Sequence, residues 1–382
     1  MSEFDTSHVK NIVLLGHAGC GKTSLSEAML FEAGLITRRG KISENNTTGD
    51  YHPLEQERGN SIFSKLLHVK WRGYKINIID TPGYDDFTGE VISALRVADT
   101  GVMLLNATMG VEVSTDMIWE YTESFKTPML FAVNKVDDAD SDFDRTVAEA
   151  KNHFGTKVTV VQYPRQQGAA FHEIIDVLRM TMYRFKDSGG KPEKIPIPDD
   201  EKEKADTLHK ELIEAIASND ESLMEKYFDQ GELDEDDMKM GLKKAMIQHD
   251  IFPLFCMSAD KNMGSGRLMG FIDNVCPSAN EMPAAKTING ASLPCDAKGP
   301  ACIFIYKTVT EPHVGDLSFF KVMSGTIKTG MELENENTNA TEKINQLFLV
   351  EGNKRTNVHE LEAGDIGATL KLKNTHVNNT LH

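Results

Sequence analysis

The feature that most constrains the fold is the segment at residues 16–23 (GHAGCGKT), which fits the pattern G-x-x-x-x-G-K-[ST]. It follows a continuously apolar run, Val9–Leu15, of the kind expected for a buried parallel strand. Its last two residues begin a predicted helix at residues 22–33, where apolar side chains recur at helical spacing before Gly34. Strand, glycine-rich turn and helix in this order predict a phosphate-binding loop, because glycines let backbone N–H groups surround phosphate oxygens without a Cβ clash. A chance glycine-rich turn is the alternative.

Each residue of this loop receives an expected role. Lys22 would neutralise the β- and γ-phosphates, and the Thr23 hydroxyl would bind Mg²⁺. His17 is interpreted as a packed loop residue rather than a catalyst, and Cys20 as a small side chain that the loop tolerates. The residues predicted to contact the nucleotide phosphates are His17, Ala18, Gly19, Cys20, Gly21, Lys22, Thr23 and Ser24.

The following residues repeat the alternation of strand and helix. Apolar runs that predict strands lie at 62–69, 75–79, 101–107 and 128–133, and helical patterns lie at 90–98, 116–125 and 142–153. This order indicates an α/β domain with a mostly parallel sheet. An apolar strand at 251–256 and a helix at 265–274 close the domain, which we place at residues 1–276.

A second motif selects the base. Asn134, Lys135 and Asp137 (N-K-x-D) follow the strand at 128–133. The Asp137 carboxylate can accept hydrogen bonds from N1–H and N2–H₂ of guanine, whereas adenine would leave it unpaired. Asn134 would reach the N7/O6 edge, and the Lys135 stem would cover the face of the base. By itself the motif could be a helix cap, but in this order it favours GTP over ATP.

Two further strand ends complete the predicted site. Asp80 begins D-T-P-G, where its carboxylate suits Mg²⁺ and the N–H of Gly83 suits a γ-phosphate contact that a turn can make or break. After the strand at 251–256, the loop with Ser258, Ala259 and Asp260 would cover guanine from the far side.

Residues 154–247 interrupt this pattern and are interpreted as an inserted α+β subdomain. Within it we predict a strand at 157–162, a helix at 170–178, a proline-broken loop at 191–198 and then two acidic amphipathic helices. Residues 199–240 alone carry 16 acidic and 5 basic residues. The insertion is either a solvated subdomain or a dedicated binding arm.

The last part of the chain changes character again. Residues 277–299 are rich in Pro, Ala, Ser and Asn and are predicted to be a linker. Residues 300–382 contain short alternating strands separated by Gly, Asn and Pro turns, which indicates an antiparallel β-barrel or sandwich.

Composition excludes several classes of protein. The 382 residues carry a formal net charge of −17, which argues against a general basic coat that holds nucleic acid, and we expect no DNA partner. The longest run without a charged residue has 12 residues, at 100–111, which is too short to span a bilayer. The N-terminus is polar and acidic, unlike a secretory signal. Five cysteines without a CxxC pair fit a reducing cytoplasm.

Together these motifs resemble the translational GTPases, and most closely elongation factor G. The resemblance covers nearly the whole chain. Its motifs occur in family order: the loop at 16–23, QERGNS at 56–61, DTPGYDDF at 80–87, NKVD at 134–137, SADK at 258–261, and VGDLSFF, VMSGTI and LEAGDIGA from Val314, Val322 and Leu361. It implies a GTP-binding domain with an inserted subdomain, then a barrel-type second domain. It further implies GTP or GDP with Mg²⁺, and a monomer that contacts a large-subunit rRNA loop through the GTPase domain and the small subunit through the barrel. Because the family has three more domains, we expect the chain to be a fragment.

The sequence departs from this family where hydrolysis would occur. Tyr84 stands where the family has the histidine that positions the attacking water, and a phenol cannot supply an imidazolium. Ala18 and Gly19 replace an apolar gate residue and an aspartate of the loop. Asn60 and Ser61 replace Ile-Thr, so Ser61 is the expected Mg²⁺-binding hydroxyl. We therefore expect GTP binding with weak or absent hydrolysis, as in the second paralogue of elongation factor G found in some bacteria. The candidate catalytic residues are Tyr84, Gly83 and Lys22.

Several functions stay open at this point. The leading hypothesis is a ribosomal translocase of the elongation factor G type. The alternatives are a non-hydrolysing, GTP-dependent binding module and a ribosome-protection or recycling factor of the same superfamily. The alternative to weak hydrolysis is that Tyr84 positions water adequately with ribosomal help. Asp137 disfavours a metabolic kinase.

Overall fold

The structure is a computed structural model that describes residues 3–311 and 315–382. Val314, with which one of the predicted barrel motifs begins, lies outside these residues. The strands up to residue 256 are β1 (Val9–Leu15), β2 (Lys65–Trp71), β3 (Tyr74–Asp80), β4 (Thr100–Asn106), β5 (Met129–Asn134), β6 (Val158–Val160), β7 (Gln162–Pro164), β8 (Glu173–Asp176), β9 (Thr181–Arg184), β10 (Glu193–Ile195) and β11 (Phe252–Cys256).

The helices of the described residues all precede residue 282. The α-helices are α1 (Lys22–Glu32), α2 (Pro53–Arg58), α3 (Thr88–Leu95), α4 (Val113–Phe125), α5 (Phe143–Phe154), α6 (Asp199–Ala217), α7 (Glu221–Gln230), α8 (Glu235–Ile247) and α9 (Ser265–Asn274). Short 3₁₀ helices lie at Thr6–His8, Ile42–Glu44, Asp85–Phe87, Gly168–Ala170 and Ala279–Glu281.

A seven-stranded sheet organises the first domain. Its order is β2-β3-β1-β4-β5-β11-β6. All neighbouring strands are parallel except β2 and β3, which are antiparallel. The central strands β1, β4 and β5 are buried along their whole length, which explains their continuous apolar runs. Because parallel strands end at the same edge, the predicted loops after β1, β3, β5 and β11 meet there.

The inserted subdomain confirms the α+β prediction but corrects its details. It contains a four-stranded antiparallel sheet, β10-β9-β8-β7, followed by α6, α7 and α8, of which α6 contacts the other two helices. The predicted strand at 157–162 is two strands in two sheets, which separate at Val161. There the N–H donates to Leu254 O of β11 and the carbonyl accepts from Val177 N.

Other predictions in the insertion were wrong. The helix predicted at 170–178 is instead β8, whose Ile174 and Ile175 are both buried. Strands β7 and β9 pair with it on both sides, and two adjacent β-branched residues suit a pleated strand better than a helix. The loop predicted at 191–198 contains β10. The region predicted to hold two acidic helices holds three, because Asp220 caps α7 and Asp234 forms a capping box at the start of α8.

The remaining strands follow the first domain. They are β12 (Ala285–Lys286), β13 (Ser292–Leu293), β14 (Cys302–Glu311), β15 (Gly315–Ser324), β16 (Thr326–Lys328), β17 (Glu332–Asn335), β18 (Ala340–Lys343), β19 (Leu347–Glu351), β20 (Lys354–Val358), β21 (Glu360–Glu362), β22 (Ile366–Leu370) and β23 (Thr380–Leu381). The predicted linker thus contains a 3₁₀ helix and the small β12–β13 hairpin. The predicted domain boundaries remain predictions.

The second domain is antiparallel, as predicted. Its main sheet runs β18-β17-β23-β14-β15-β22-β19-β20, and β16 pairs separately with β21, an arrangement consistent with a β-barrel domain. One hydrophobic cluster, with Ile303, Phe320 and Val322, lies inside this domain. Other barrel side chains, among them Phe319 and Phe348, belong to the cluster that fills the first domain, so an apolar interface joins the two. No helix of the described residues is long and apolar enough to cross a membrane.

Candidate functional site

The glycine-rich loop connects β1 to α1 at the edge where the parallel strands end. Gly16, Gly19 and Gly21 all have positive φ, at 128°, 78° and 103°. A Cβ on Gly21 would overlap the Asn134 amide, and one on Gly16 would overlap the carbonyl of Leu104. Glycine is therefore required at positions 16 and 21 by conformation and by space.

The Lys22 ammonium lies inside this loop. It is buried and donates to the carbonyl oxygens of Gly16 at 2.7 Å and His17 at 2.9 Å. Gly83 of the D-T-P-G turn lies directly against it: a Cβ there would stand 2.5 Å from Lys22 Nζ and 2.5 Å from Ala18 N. The turn predicted to contact a γ-phosphate thus meets the loop predicted to hold it.

A group of hydroxyl and carboxylate oxygens lies beside Lys22. Thr23 Oγ1 is 3.3 Å from Ser61 Oγ, and Ser61 Oγ donates to Asp50 Oδ2 at 3.1 Å. Asp80 Oδ2 accepts a 3.4 Å hydrogen bond from Ser26 Oγ. The structure therefore brings together the three predicted Mg²⁺ ligands, Thr23, Ser61 and Asp80, and adds Asp50 to them.

The two carboxylates of this group are incompletely paired. The Oδ1 atoms of Asp50 and Asp80 are buried and have no hydrogen-bond partner among the described residues. Burial, with the nearby charge of Asp50, raises the pKa of Asp80 to about 7, although Lys22 and Thr23 oppose the rise. Burial likewise raises the pKa of Asp50, against its hydrogen bond from Ser61.

This donor set suits one kind of cation. Two buried carboxylates with orphaned oxygens beside two hydroxyls fit Mg²⁺, which prefers hard oxygen ligands and leaves positions for water and phosphate. No cluster of three or more His, Cys, Asp or Glu arranged to hold a metal occurs in residues 3–311 and 315–382. A cation at this position would meet the hydroxyls of Thr23 and Ser61 beside the two carboxylates.

Asn134 joins the loops predicted to hold the base. Its Nδ2 donates to Cys20 O at 2.8 Å, and its Oδ1 accepts from Ala259 N at 2.9 Å. One amide therefore links the phosphate loop to the loop that contains Ser258. The Ser258 hydroxyl in turn accepts from Lys261 N at 3.1 Å, which fixes the turn after β11.

The other base-side residues lie around this amide. Lys135 has a left-handed backbone, with φ of 62°. The Asp137 carboxylate is mostly buried, and its Oδ2 lies 3.7 Å from Lys261 Nζ. Asp260 is exposed, and Arg39 donates to its carbonyl oxygen and to Ala259 O. Ser24 faces a groove that Ala259 and Asp260 also line.

The residues predicted to affect hydrolysis have different surroundings. His17 Nδ1 is hydrogen-bonded to the Ser114 hydroxyl, and its Nε2 lies 3.4 Å from Glu112 Oε1 at the start of α4. Ala18 and Gly19 are at the partly open rim of the loop. The Tyr84 side chain is 45% exposed and makes no hydrogen bond within the described part of the chain.

Sequence reasoning missed two acidic residues. Asp50 contacts Ser61 from 11 positions upstream. Glu55, on α2, accepts from the N–H groups of Ile62 and Phe63 and so fixes the residues after Ser61. The acidic residues in and before QERGNS were visible in the sequence, but their spacing has no fixed period that indicates a shared site.

The fold and these loops define a P-loop nucleotide-binding protein of the α/β class. Residues 7–278 match the family model of the elongation factor Tu GTP binding domain, and residues 300–382 match that of elongation factor G domain 2. The chain therefore belongs to the elongation factor G-like translational GTPases. It is also similar to a protein from Thermus thermophilus whose crystal structure aligns with a TM-score of 0.88. The two sequences are 27% identical over 98% of this chain and 54% of the other, so this chain spans about half of that protein's length.

Proposed function

We propose that the chain binds GTP and GDP together with Mg²⁺ at the edge where β1, β3, β5 and β11 end. The observation that carries this proposal is the bridge made by Asn134 between the phosphate loop and the Ser258 loop. Asp137 follows the same strand, β5, where its carboxylate can recognise guanine. The matched family is one of GTP-binding domains, which supports the same base.

Different groups of the site bind different parts of the ligand. The loop N–H groups and Lys22 receive the phosphates, and Asp137 accepts from the N1–H and N2–H₂ groups of guanine. Thr23, Ser61 and Asp80 would hold Mg²⁺, with Asp50 beside them; when bound, the cation neutralises phosphate charge. Of the three donors of the Lys22 ammonium, two meet the Gly16 and His17 carbonyls, and the third meets Cys20 Sγ at 3.7 Å, a weak partner that a phosphate oxygen would replace.

Hydrolysis by this chain is proposed to be weak. Tyr84 follows Gly83 at the turn nearest Lys22, where a water-positioning group would act, but its hydroxyl makes no hydrogen bond among the described residues and its side chain is half exposed. His17 is turned to Ser114 and Glu112, so it is not placed as a substitute base. This geometry also favours the second candidate function, a GTP-dependent binding module that does not hydrolyse. Completing a GTPase site is worth roughly 10³–10⁵ in rate, so the absence of one group is measurable.

The family supports a role in translation. We propose that the chain acts in the cytoplasm as part of a translation factor that contacts the ribosome, with the GTP-binding domain towards the large subunit and the barrel towards the small subunit. Translocation, protection and recycling differ in what happens to a ribosome that has bound the factor. In translocation the ribosome moves, in protection it loses a bound inhibitor, and in recycling its subunits separate.

Binding of a fluorescent GDP or GTP analogue, with Mg²⁺ or with EDTA, tests the nucleotide proposal directly. Unlabelled GTP should compete and ATP should not. Asp137→Asn should weaken binding roughly hundredfold, because a charged acceptor worth about 3 kcal/mol is lost. The matched control is Asp138→Asn, which changes the adjacent aspartate outside the N-K-x-D motif. Equal competition by ATP, or equal affinities of the two variants, would contradict guanine recognition by Asp137.

A further inference from the structure

The barrel contacts one particular part of the first domain through buried polar groups. Residues 47–64, here called the switch segment, contain Asp50, Glu55 and Ser61 and end just before β2. Two separate barrel elements touch this segment: Lys307 on β14 and the turn at Gly352 between β19 and β20. The sequence motifs gave no reason to connect these barrel residues with the cation site.

Lys307 binds the end of the switch segment and α3 at once. Its ammonium donates to Ser64 O at 2.9 Å, to Ser64 Oγ at 3.0 Å and to Glu90 Oε2 at 2.6 Å. These contacts use all three of its donors. Glu90 also accepts from Ser64 N at 2.8 Å, so the three groups form a closed arrangement.

The position of Lys307 is built into the strand. The pairing of β14 with β15 shifts register between Ile305 and Lys307. Such an irregularity re-aims a side chain, and here the Lys307 side chain leaves the barrel for the first domain. The ammonium also lies 5.7 Å from the centre of the Phe63 ring, within the same segment.

The Gly352 turn supports the other end of the switch segment. Gly352 has φ of 60°, and its N–H donates to Leu66 O at 3.0 Å. A Cβ at this position would stand 2.5 Å from the carbonyl oxygen of Thr48, two residues before Asp50. The barrel backbone therefore lies directly on the segment.

Two other barrel ion pairs provide a comparison. Lys321 is 2.6 Å from Asp99, and Asp365 is 2.7 Å from Lys75. Both pairs are buried, but they join the barrel to residues at β4 and β3, away from the switch segment. They hold the two domains together without touching the segment or α3.

We propose that Lys307 and the Gly352 turn position the switch segment and α3, so that the barrel sets the Mg²⁺-dependent nucleotide affinity of the first domain. The identity of the ligand, a guanine nucleotide with Mg²⁺, rests on the proposed function above. Lys307 is a positioning residue: it contacts Ser64 and Glu90, and Ser64 is three residues from Ser61. Loss of its contacts lets Ser61 and Asp50 move apart, which raises the Mg²⁺ concentration needed for tight nucleotide binding.

The test compares Lys307→Met with Lys321→Met, which removes an equally buried interface lysine. The first measurement is the Mg²⁺ concentration that gives half-maximal affinity for a fluorescent GTP analogue. We expect it to rise about tenfold in Lys307→Met, within the usual range of coupling between sites, and to stay at the wild-type value in Lys321→Met. Lys307→Arg should restore part of the difference, since a guanidinium can still reach Glu90.

The second measurement needs no nucleotide. Hydrogen exchange of backbone amides at 47–64 should be at least about fivefold faster in Lys307→Met than in wild type, and unchanged in Lys321→Met. Gly352→Ala should give the same pattern from the other contact. Gly330→Ala is its control, because Gly330 also has positive φ but a Cβ there meets nothing within 4 Å.

The outcomes separate this proposal from the proposed function. Equal values for Lys307→Met and Lys321→Met in both measurements would overturn the positioning role. A wild-type chain that binds no guanine nucleotide would refute the proposed function and the effect on affinity. Hydrogen exchange would then still decide whether Lys307 holds the switch segment.

Discussion

The buried pair formed by Glu55 and Lys65 should be the most sensitive point of the switch segment. The side chain of Glu55 is 0% exposed and that of Lys65 is 5% exposed. Glu55 accepts from Lys65 Nζ at 2.6 and 2.7 Å and from the N–H groups of Ile62 and Phe63 at 2.9 and 3.0 Å. The carboxylate therefore both neutralises a buried ammonium and holds the backbone after Ser61.

Glu55→Gln changes the charge and almost nothing else. The amide can still accept from the backbone, but its NH₂ group meets the Lys65 ammonium, which loses its hydrogen-bonded counter-charge and keeps only the more distant carboxylates of Asp50 and Asp80. Removing one partner of a buried ion pair costs about 3–5 kcal/mol. Native domains are stable by only about 5–15 kcal/mol, so this is a large part of the total. Lys65→Met should cost less, because Glu55 keeps its two backbone donors, and the double variant should be more stable than Glu55→Gln alone.

Urea unfolding followed by tryptophan fluorescence measures this effect. Trp71 and Trp119 both lie in the first domain, on β2 and α4, so the signal reports the domain that is changed. The control is Glu3→Gln, which breaks the exposed pair with Lys70 and should cost about 0–1 kcal/mol. A midpoint for Glu55→Gln equal to that of Glu3→Gln, or a double variant as unstable as the sum of the two singles, would refute the reasoning.

Two further predictions concern pH and hydrolysis. Burial, together with Lys75 and Lys70, lowers the pKa of His68 at the domain interface, while the hydrogen bond between its ring and Val350 O and the charge of Asp365 oppose this shift. The folded chain therefore binds this proton less readily than the unfolded chain, so the contribution of His68 to the free energy of unfolding should be fully present above about pH 6.5 and should decrease at lower pH. Urea unfolding between pH 5 and 8 measures this decrease, which should be absent in His68→Asn. Tyr84→His should raise the rate of GTP hydrolysis in the presence of ribosomes without changing GTP affinity; phosphate release at the wild-type rate would count against the proposed role of this position.

The core of the first domain was predictable because its signals are local. The apolar runs before Gly16, Asp80 and Asn134 correspond to β1, β3 and β5 with ends within one or two residues. Strands buried on both faces must be apolar throughout, and loops at their ends carry the polar motifs. The adjacency of Thr23 and Asp80 follows from the parallel pairing of β1 with β3, whereas Ser61 precedes the antiparallel strand β2 and was expected there only from the family resemblance.

The insertion was less predictable because pairing partners decide its structure. Residues 173–176 carry two isoleucines whose β-branching favours a strand, but so short a segment has no hydrophobic period that excludes a helix. Only the presence of β7 and β9 on either side decides for the strand. Similarly, the sequence at 158–163 (VTVVQY) indicates a single strand, and nothing local shows that the chain passes from one sheet to another at Val161.

Contacts between distant parts of the chain could not be predicted from the sequence patterns, for a different reason. Lys307 and Lys321 occupy strands in which a lysine ordinarily indicates the solvent face, yet both are buried against partners 217 and 222 positions away. A buried lysine is tolerated only where a carboxylate and further acceptors meet it, and both lysines meet such acceptors in the first domain. Since separating the domains would leave the carboxylates of Glu90 and Asp99 without these cations, the two domains should unfold as one cooperative unit, and the switch segment should respond to changes on the barrel side of the interface.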